Sequence, residues 1–238
     1  MVFYTFNKFK LGVLVLMALI TWQLFHLFHN PPTPSPELKL SVGDIVELED
    51  DKFNKHKVDK LKVRVYYEAL CPDSKYFFTK QLRPVTEKLA DFLNITLVPY
   101  GKASTEEING LYSFKCQHGE EECFANKIHA CSIDIIGDMV KSVQFTECMI
   151  VDNMDGLKAL MRCARRMKVN PEPISNCSVN ERGSALLKKH GDDTNILKPH
   201  FIPTITINGS KDNQAAILKN FLLQICKLID MPLPPPCL

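Results

Sequence analysis

Leu61-Lys62-Val63-Arg64-Val65-Tyr66-Tyr67-Glu68-Ala69-Leu70-Cys71-Pro72 is the stretch from which the fold follows. Leu61, Val63, Val65 and Tyr67 alternate with Lys62, Arg64 and Tyr66, the period-2 pattern of a strand. Cys71-Pro72 follows within four residues, and proline is pre-set for the first position of a helix. Phe78, Leu82, Val85, Leu89 and Phe92 then recur at helical spacing, which predicts an amphipathic helix of about 20 residues bent at Pro84. Ile95-Thr96-Leu97-Val98-Pro99-Tyr100 reads as a second strand. Strand, helix and strand make a βαβ unit with Cys71 at the carboxyl end of its first strand.

Downstream, residues of about 103–198 carry six of the nine cysteines and several helical stretches such as Met154 to Met167. Phe201 to Ile207 is a short β-branched run closed by the turn signal Asn208-Gly209. Ala215, Leu218, Leu222 and Ile225 mark a final helix, and residues 231–238 read as a Pro-rich tail. Upstream, residues 31–60 read as a linker, Pro-rich at first and then charged and poorly ordered. The expected organisation is therefore an amino-terminal targeting segment over 1–30, this linker, one domain over 61–230 with its helical insert, and the tail.

The 238-residue chain has 29 Lys+Arg against 27 Asp+Glu, so it lacks the basic excess that drives nucleic-acid binding. With 45% hydrophobic and 24% charged residues, the body is neither disordered nor polytopic. Leu11 to Phe28 contains no charged residue and follows Lys8 and Lys10. At 18 residues it sits on the boundary between a secretory core and a membrane span, so a cleaved signal peptide and an uncleaved signal-anchor both fit, the second giving a membrane tether through residues 11–28. Either delivers the body to the secretory lumen. The sequons at Asn94, Asn176 and Asn208 and the cysteine density agree with that compartment.

A cysteine on the first turn of a helix directly after a strand is placed to react, because unpaired N–H groups and the helix dipole favour its thiolate. The Ser74 hydroxyl is expected to donate a hydrogen bond to that sulfur. A dithiol reductase carries its second, resolving cysteine at the position of Ser74, and a serine cannot attack the mixed disulfide. Cys71 could thus open a substrate disulfide and then need an outside thiol to finish. The competing reading is a paired or buried, inert Cys71. Nine is an odd number, so one sulfur is left over, and either Cys71 or Cys237 could be it.

Cys116-Gln117-His118-Gly119-Glu120-Glu121-Glu122-Cys123, followed by Asn126, His129 and Cys131, gathers three cysteines and two histidines. The spacings do not match the paired units of structural zinc sites, so the expectation is disulfides and no metal. Arg162, Arg165, Arg166 and Lys168 read as a solvated helix face. His200 could lie near Cys71, although a surface position is the commoner outcome for such a residue.

These residues carry a resemblance. Cys116-Gln117-His118-Gly119, Glu122-Cys123, Asn126 and Cys131 reproduce the full signature of the gamma-interferon-inducible lysosomal thiol reductase family. Tyr66 to Pro72, Gly183, Leu187, Gly191, Thr194, Leu197, Pro199, Ile202-Pro203 and Asn208-Gly209 extend the likeness over about Leu61 to Leu228. The resemblance implies an α/β, thioredoxin-like domain with a cysteine-rich helical insert, in which the signature residues are structural. It implies glycosylated, lumenal residence in lysosomes, endosomes or outside the cell and disulfide-bonded proteins as substrates; vertebrate-type members of the family reduce protein disulfides at acidic pH, with roles in antigen processing and host defence. It makes Cys71 and Ser74 the candidate catalytic positions, and Ile202 and a cis Pro203 the aligners of substrate backbone. No cofactor is implied beyond an external small thiol or reductase. The chain departs from the family at Ser74, where the second cysteine of C-x-x-C is missing, and at Thr204, often tryptophan in the family, which is expected to reshape the substrate groove. Two function classes follow: a single-cysteine thiol-disulfide oxidoreductase, and a non-catalytic binding or chaperone-like member. A membrane-tethered defence factor is a third, weaker idea.

Overall fold

The computed structural model describes residues 16–26 and 59–238. The chain divides into a unit of residues 1–57 and a unit of residues 58–238. In the first, residues 16–26 are an exposed helix. Among the described residues no helix is long and apolar enough to cross a membrane. The rest of the apolar segment 11–28 and the linker up to residue 58 lie outside the described residues.

In the second unit, β1 (Leu61–Tyr67) is the central strand of a three-stranded sheet. It pairs in parallel with β2 (Leu93–Pro99) and antiparallel with β5 (Thr204–Ile207). The alternation read from the sequence holds on one face, where Val63, Val65 and Tyr67 are fully buried. It fails at Tyr66, which is also buried, because Val98, Cys71 and Ile202 cover the second face. A central strand covered on both sides cannot alternate cleanly.

The single helix expected after Cys71 is a composite: α1 (Pro72–Phe77), a π-helical turn (Phe78–Leu82), α2 (Arg83–Leu89) and a 3-10 turn (Ala90–Phe92). Pro84 explains the break in regularity. It has no N–H for the carbonyl four residues back, and its ring would collide with that carbonyl, so the turn before it widens. Phe77, Phe78, Leu82 and Leu89 are nonetheless fully buried against the sheet. Each such side chain contributes roughly 1.5–3 kcal/mol through removal from water.

The insert opens with a hairpin, β3 (Ser104–Ile108) and β4 (Leu111–Lys115), which the sequence reading did not anticipate. Its signal was present. Asn109-Gly110 takes positive φ at both residues (53° and 79°), the turn that matches strand twist. Five helices follow: α3 (Glu120–Ile136), α4 (Met139–Val151), α5 (Gly156–Met167), α6 (Glu172–Val179) and α7 (Glu181–Leu197). They enclose a second core around Ile128, Phe145, Met149 and Leu160, in which the bridges Cys131–Cys177 and Cys148–Cys163 are buried.

One expectation near the carboxyl end is corrected. The last helix is split into α8 (Gln214–Lys219) and α9 (Phe221–Cys226), because Asn220 leaves helical geometry and its side chain caps the next helix at Leu223 N. The Pro-rich tail packs on the domain. Cys226–Cys237 ties it down, and Leu233 and Cys237 pack against the main core.

Candidate functional site

The chain leaves β1 as extended backbone and enters α1 with Cys71 at the N-cap (φ −66°, ψ 124°) and Pro72 at the first helical position. The Cys71 carbonyl accepts Lys75 N–H at 3.0 Å, which closes the first turn. Cys116–Cys123, Cys131–Cys177, Cys148–Cys163 and Cys226–Cys237 are bridged, so Cys71 is the free sulfur and Cys237 is not. Cys71 is 7% exposed. Its Sγ lies 3.8 Å from the carbonyl oxygen of Ile202, and the Ile202–Pro203 peptide is cis. The structure thus brings Cys71, Ile202 and Pro203 together.

Beside them opens a cavity of about 320 Å³, bounded by Asp73, Tyr76, Phe77, Phe201, Ile202, Pro203 and Leu218. Tyr76 and Phe201 are exposed at 57% and 43%, which gives the groove an apolar, aromatic rim. Thr204 does not line it: the residue is buried in β5 and donates to Phe201 O at 2.6 Å. The expected bond from Ser74 to the sulfur is also corrected. Ser74 is fully buried, and its Oγ faces back along the chain, accepting Glu68 N–H at 3.4 Å. His200 is exposed, and its carbonyl accepts Lys102 Nζ at 2.8 Å.

The backbone between β1 and Cys71 is clamped by the insert. Ala69 N–H donates to Asn126 Oδ1 at 2.9 Å, and Asn153 Nδ2 donates to the Ala69 carbonyl at 2.6 Å. Glu68, 1% exposed, accepts Lys102 N–H on Oε1 at 2.6 Å. Lys102 Nζ in turn donates to the carbonyls of Pro199 and His200, both at 2.8 Å, tying this loop to the approach to Pro203. Gly101 makes the arrangement possible: φ is +64°, and a Cβ there would stand 2.0 Å from Glu68 Cγ. Burial pushes the Glu68 carboxyl up, the Lys102 N–H opposes this, and the charge of Glu122 adds to the rise.

The signature residues divide by role. Cys116–Cys123 closes the loop before α3, and Gly119 takes φ 86° at the helix N-cap. Glu122, fully buried, accepts His118 N–H at 3.0 Å on Oε1 and stands 2.6 Å from His118 Nδ1 through Oε2. Asn126 reaches the Cys71 turn, whereas Gln117 is exposed and Cys131 lies in the insert core. Asn153, Lys102 and Gly101 were not singled out by sequence reasoning, because a clamp assembled from three separate loops leaves no local pattern. Asn94, Asn176 and Asn208 are all exposed. Asn208 Oδ1 also accepts Lys62 N–H at 2.9 Å.

The family profile described as gamma interferon inducible lysosomal thiol reductase matches residues 62–167. A gamma-interferon-inducible lysosomal thiol reductase-like protein of Anopheles gambiae is 36% identical over 195 residues, covering 75% of this chain and 80% of the relative. The gamma-interferon-inducible lysosomal thiol reductase of Mus musculus is 31% identical, covering 72% and 70%. Among solved structures, oxidised BdbD from Bacillus subtilis is similar with a TM-score of 0.52 at 16% identity, over 72% of this chain and 91% of that one. The reduced disulfide bond oxidoreductase DsbG of Mycobacterium tuberculosis gives 0.51 at 18%, over 76% and 87%.

Proposed function

The chain belongs to the gamma interferon inducible lysosomal thiol reductase family, and on that premise we propose that it exchanges disulfides in other proteins through Cys71 alone. Family and thioredoxin-like fold make it a thiol-disulfide oxidoreductase whose substrates are protein disulfides. The single-cysteine mechanism and a lysosomal or extracellular site of action, in protein unfolding or host defence, are our reading.

One observation carries it: the free sulfur is held against Ile202, and Ile202 and Pro203 also wall the aromatic-rimmed groove. An extended substrate segment laid in that groove would bring its disulfide to the thiol. The Cys71 thiolate attacks one substrate sulfur, forming a mixed disulfide and releasing the other as a thiolate. An external thiolate then attacks the Cys71 sulfur, freeing the second substrate thiol. A second external thiolate regenerates Cys71 and leaves as the external disulfide. Two small thiols are oxidised and one substrate disulfide is reduced. Ser74 Oγ takes no part in electron transfer and holds the turn through Glu68 N–H.

The test is reduction of insulin disulfides with excess small thiol. Wild-type protein accelerates it and Cys71→Ser does not; acceleration that survives Cys71→Ser overturns the assignment. A second reading, a non-catalytic binder of disulfide-containing proteins, is favoured by the 7% exposure of Cys71 and by Ser74. Alkylation decides between them, since a Cys71 that reacts no faster than a model thiol near pH 5 supports the binder.

A further inference from the structure

Glu68, His118 and Glu122 stand apart from the sulfur chemistry. One oxygen of each carboxylate and one ring nitrogen of His118 all lie within 4.8 Å of one another. Glu68 and Glu122 are 1% and 0% exposed, while the His118 side chain is 34% exposed. Glu68 Oε1 is satisfied by Lys102 N–H, but among the described residues Glu68 Oε2 has no hydrogen-bond partner. It points at His118 Nδ1 from 3.6 Å, beyond hydrogen-bond reach. Among the described residues no lysine or arginine forms an ion pair with either carboxylate: Lys102 offers Glu68 its backbone N–H, while its Nζ is bonded to the carbonyls of Pro199 and His200.

Two carboxylates buried around a single imidazole are costly unless a positive charge joins them. A proton on the orphan oxygen would meet His118 Nδ1 too far away to accept it. A divalent cation could satisfy all three at once if small side-chain shifts brought each donor to about 2.0–2.2 Å from it, the cation replacing the proton between His118 Nδ1 and Glu122 Oε2. We propose that Glu68 Oε2, His118 Nδ1 and Glu122 Oε2 form a binding site for one divalent cation of the Zn²⁺ class, with the exposed edge of His118 as its entrance. One nitrogen and two carboxylate oxygens suit Zn²⁺, and Co²⁺ is its spectroscopic substitute. Cys116, Cys123 and Cys131 are excluded as ligands because they are bridged. Cation binding would cross-link the first turn of α3 to the residue three positions before Cys71, independently of whether Cys71 turns over.

The test uses the full chain at pH 7, titrated with Zn²⁺ by calorimetry and with Co²⁺ by visible absorption. One equivalent per chain is expected, at least tenfold weaker in His118→Ala and in Glu68→Gln and unchanged in Cys71→Ser. The Co²⁺ spectrum should lack thiolate charge-transfer bands. Because Glu68 is buried and its variant could misfold, a Zn²⁺-dependent rise in Tm that is lost in the surface-accessible His118→Ala provides a second readout. Absence of stoichiometric binding, binding indifferent to His118→Ala, or thiolate bands that vanish in Cys71→Ser would each overturn the site and leave the cluster neutralised by protons alone.

Discussion

Asn126 Oδ1 accepts the backbone N–H of Ala69 at 2.9 Å, so a residue of the helical insert holds the chain two positions before the free sulfur. Ala69 is fully buried, and its N–H has no water to fall back on. Replacing Asn126 by Ala leaves that donor orphaned, at a cost of about 1–3 kcal/mol. In a domain of this size that lowers Tm by about 2–4 °C per kcal/mol. Exchange of the Ala69 amide should accelerate together with the fall in Tm. An unchanged Tm with an equally protected Ala69 amide would show that the insert does not clamp the turn.

Ser74→Cys puts a thiol where Oγ now sits, within the same turn as Cys71. Among the described residues one long hydrogen bond is lost, Glu68 N–H to Ser74 Oγ at 3.4 Å, so stability should change by no more than about 1 kcal/mol. The new thiol can attack the mixed disulfide internally, and turnover at limiting external thiol should rise at least tenfold. Steady-state insulin reduction at several thiol concentrations measures this. A rate that stays proportional to external thiol would show that the buried position 74 cannot reach the Cys71 sulfur.

The contrast between these two positions shows what was legible in the sequence. The strand Leu61–Tyr67, the helix start at Cys71-Pro72 and the odd sulfur follow from alternation, proline geometry and parity, which are local or countable properties. Asn126 was visible as part of a spaced motif, but its target, the Ala69 backbone, was not, because backbone groups have no sequence signature. The inward turn of Ser74, the Lys102 bridge to Pro199 and His200, and the packing of Tyr66 on the second sheet face arise only when distant segments meet. The Asn109-Gly110 hairpin is a different case, since its turn signal is local and lies in the sequence itself.

Acidification should destabilise the fold through two histidines, His129 buried and His190 half-buried. Burial holds His129 down to about 3 and His190 down to about 4, against 6.5 for the free side chain. His129 is neutral in the fold, with its Nδ1 3.2 Å from Tyr67 OH. Between those values and 6.5 the unfolded chain binds more protons, so stability is complete above pH 6.5 and falls as pH drops. From pH 7 to pH 5 each histidine removes about 2 kcal/mol. Urea unfolding at the two pH values should show the loss, and His129→Gln should shrink it by about half. A pH dependence identical in wild type and His129→Gln would mean that the imidazole is protonated in the native state.

The disulfides should differ in what they stabilise. Cys131–Cys177 closes a loop of 46 residues through the insert core, and Cys116–Cys123 closes one of 7 at its edge. Loop-closure entropy assigns about 4 kcal/mol to the first and about 2 kcal/mol to the second. Cys131 and Cys177 are also buried at 0% and 5%, so truncating both leaves a cavity that adds to the loss. The double variant Cys131→Ala/Cys177→Ala should therefore lower Tm clearly more than Cys116→Ala/Cys123→Ala. The smaller loop carries His118 and Gly119 between its cysteines, with Glu122 beside Cys123. Its removal should consequently act locally, raising hydrogen exchange at His118 N–H, which Glu122 Oε1 now holds at 3.0 Å. Calorimetry ranks the two global effects and amide exchange reports the local one. If the small-loop variant proved the less stable of the pair, the work of Cys116–Cys123 would lie in holding the insert together rather than in framing the His118–Glu122 contact.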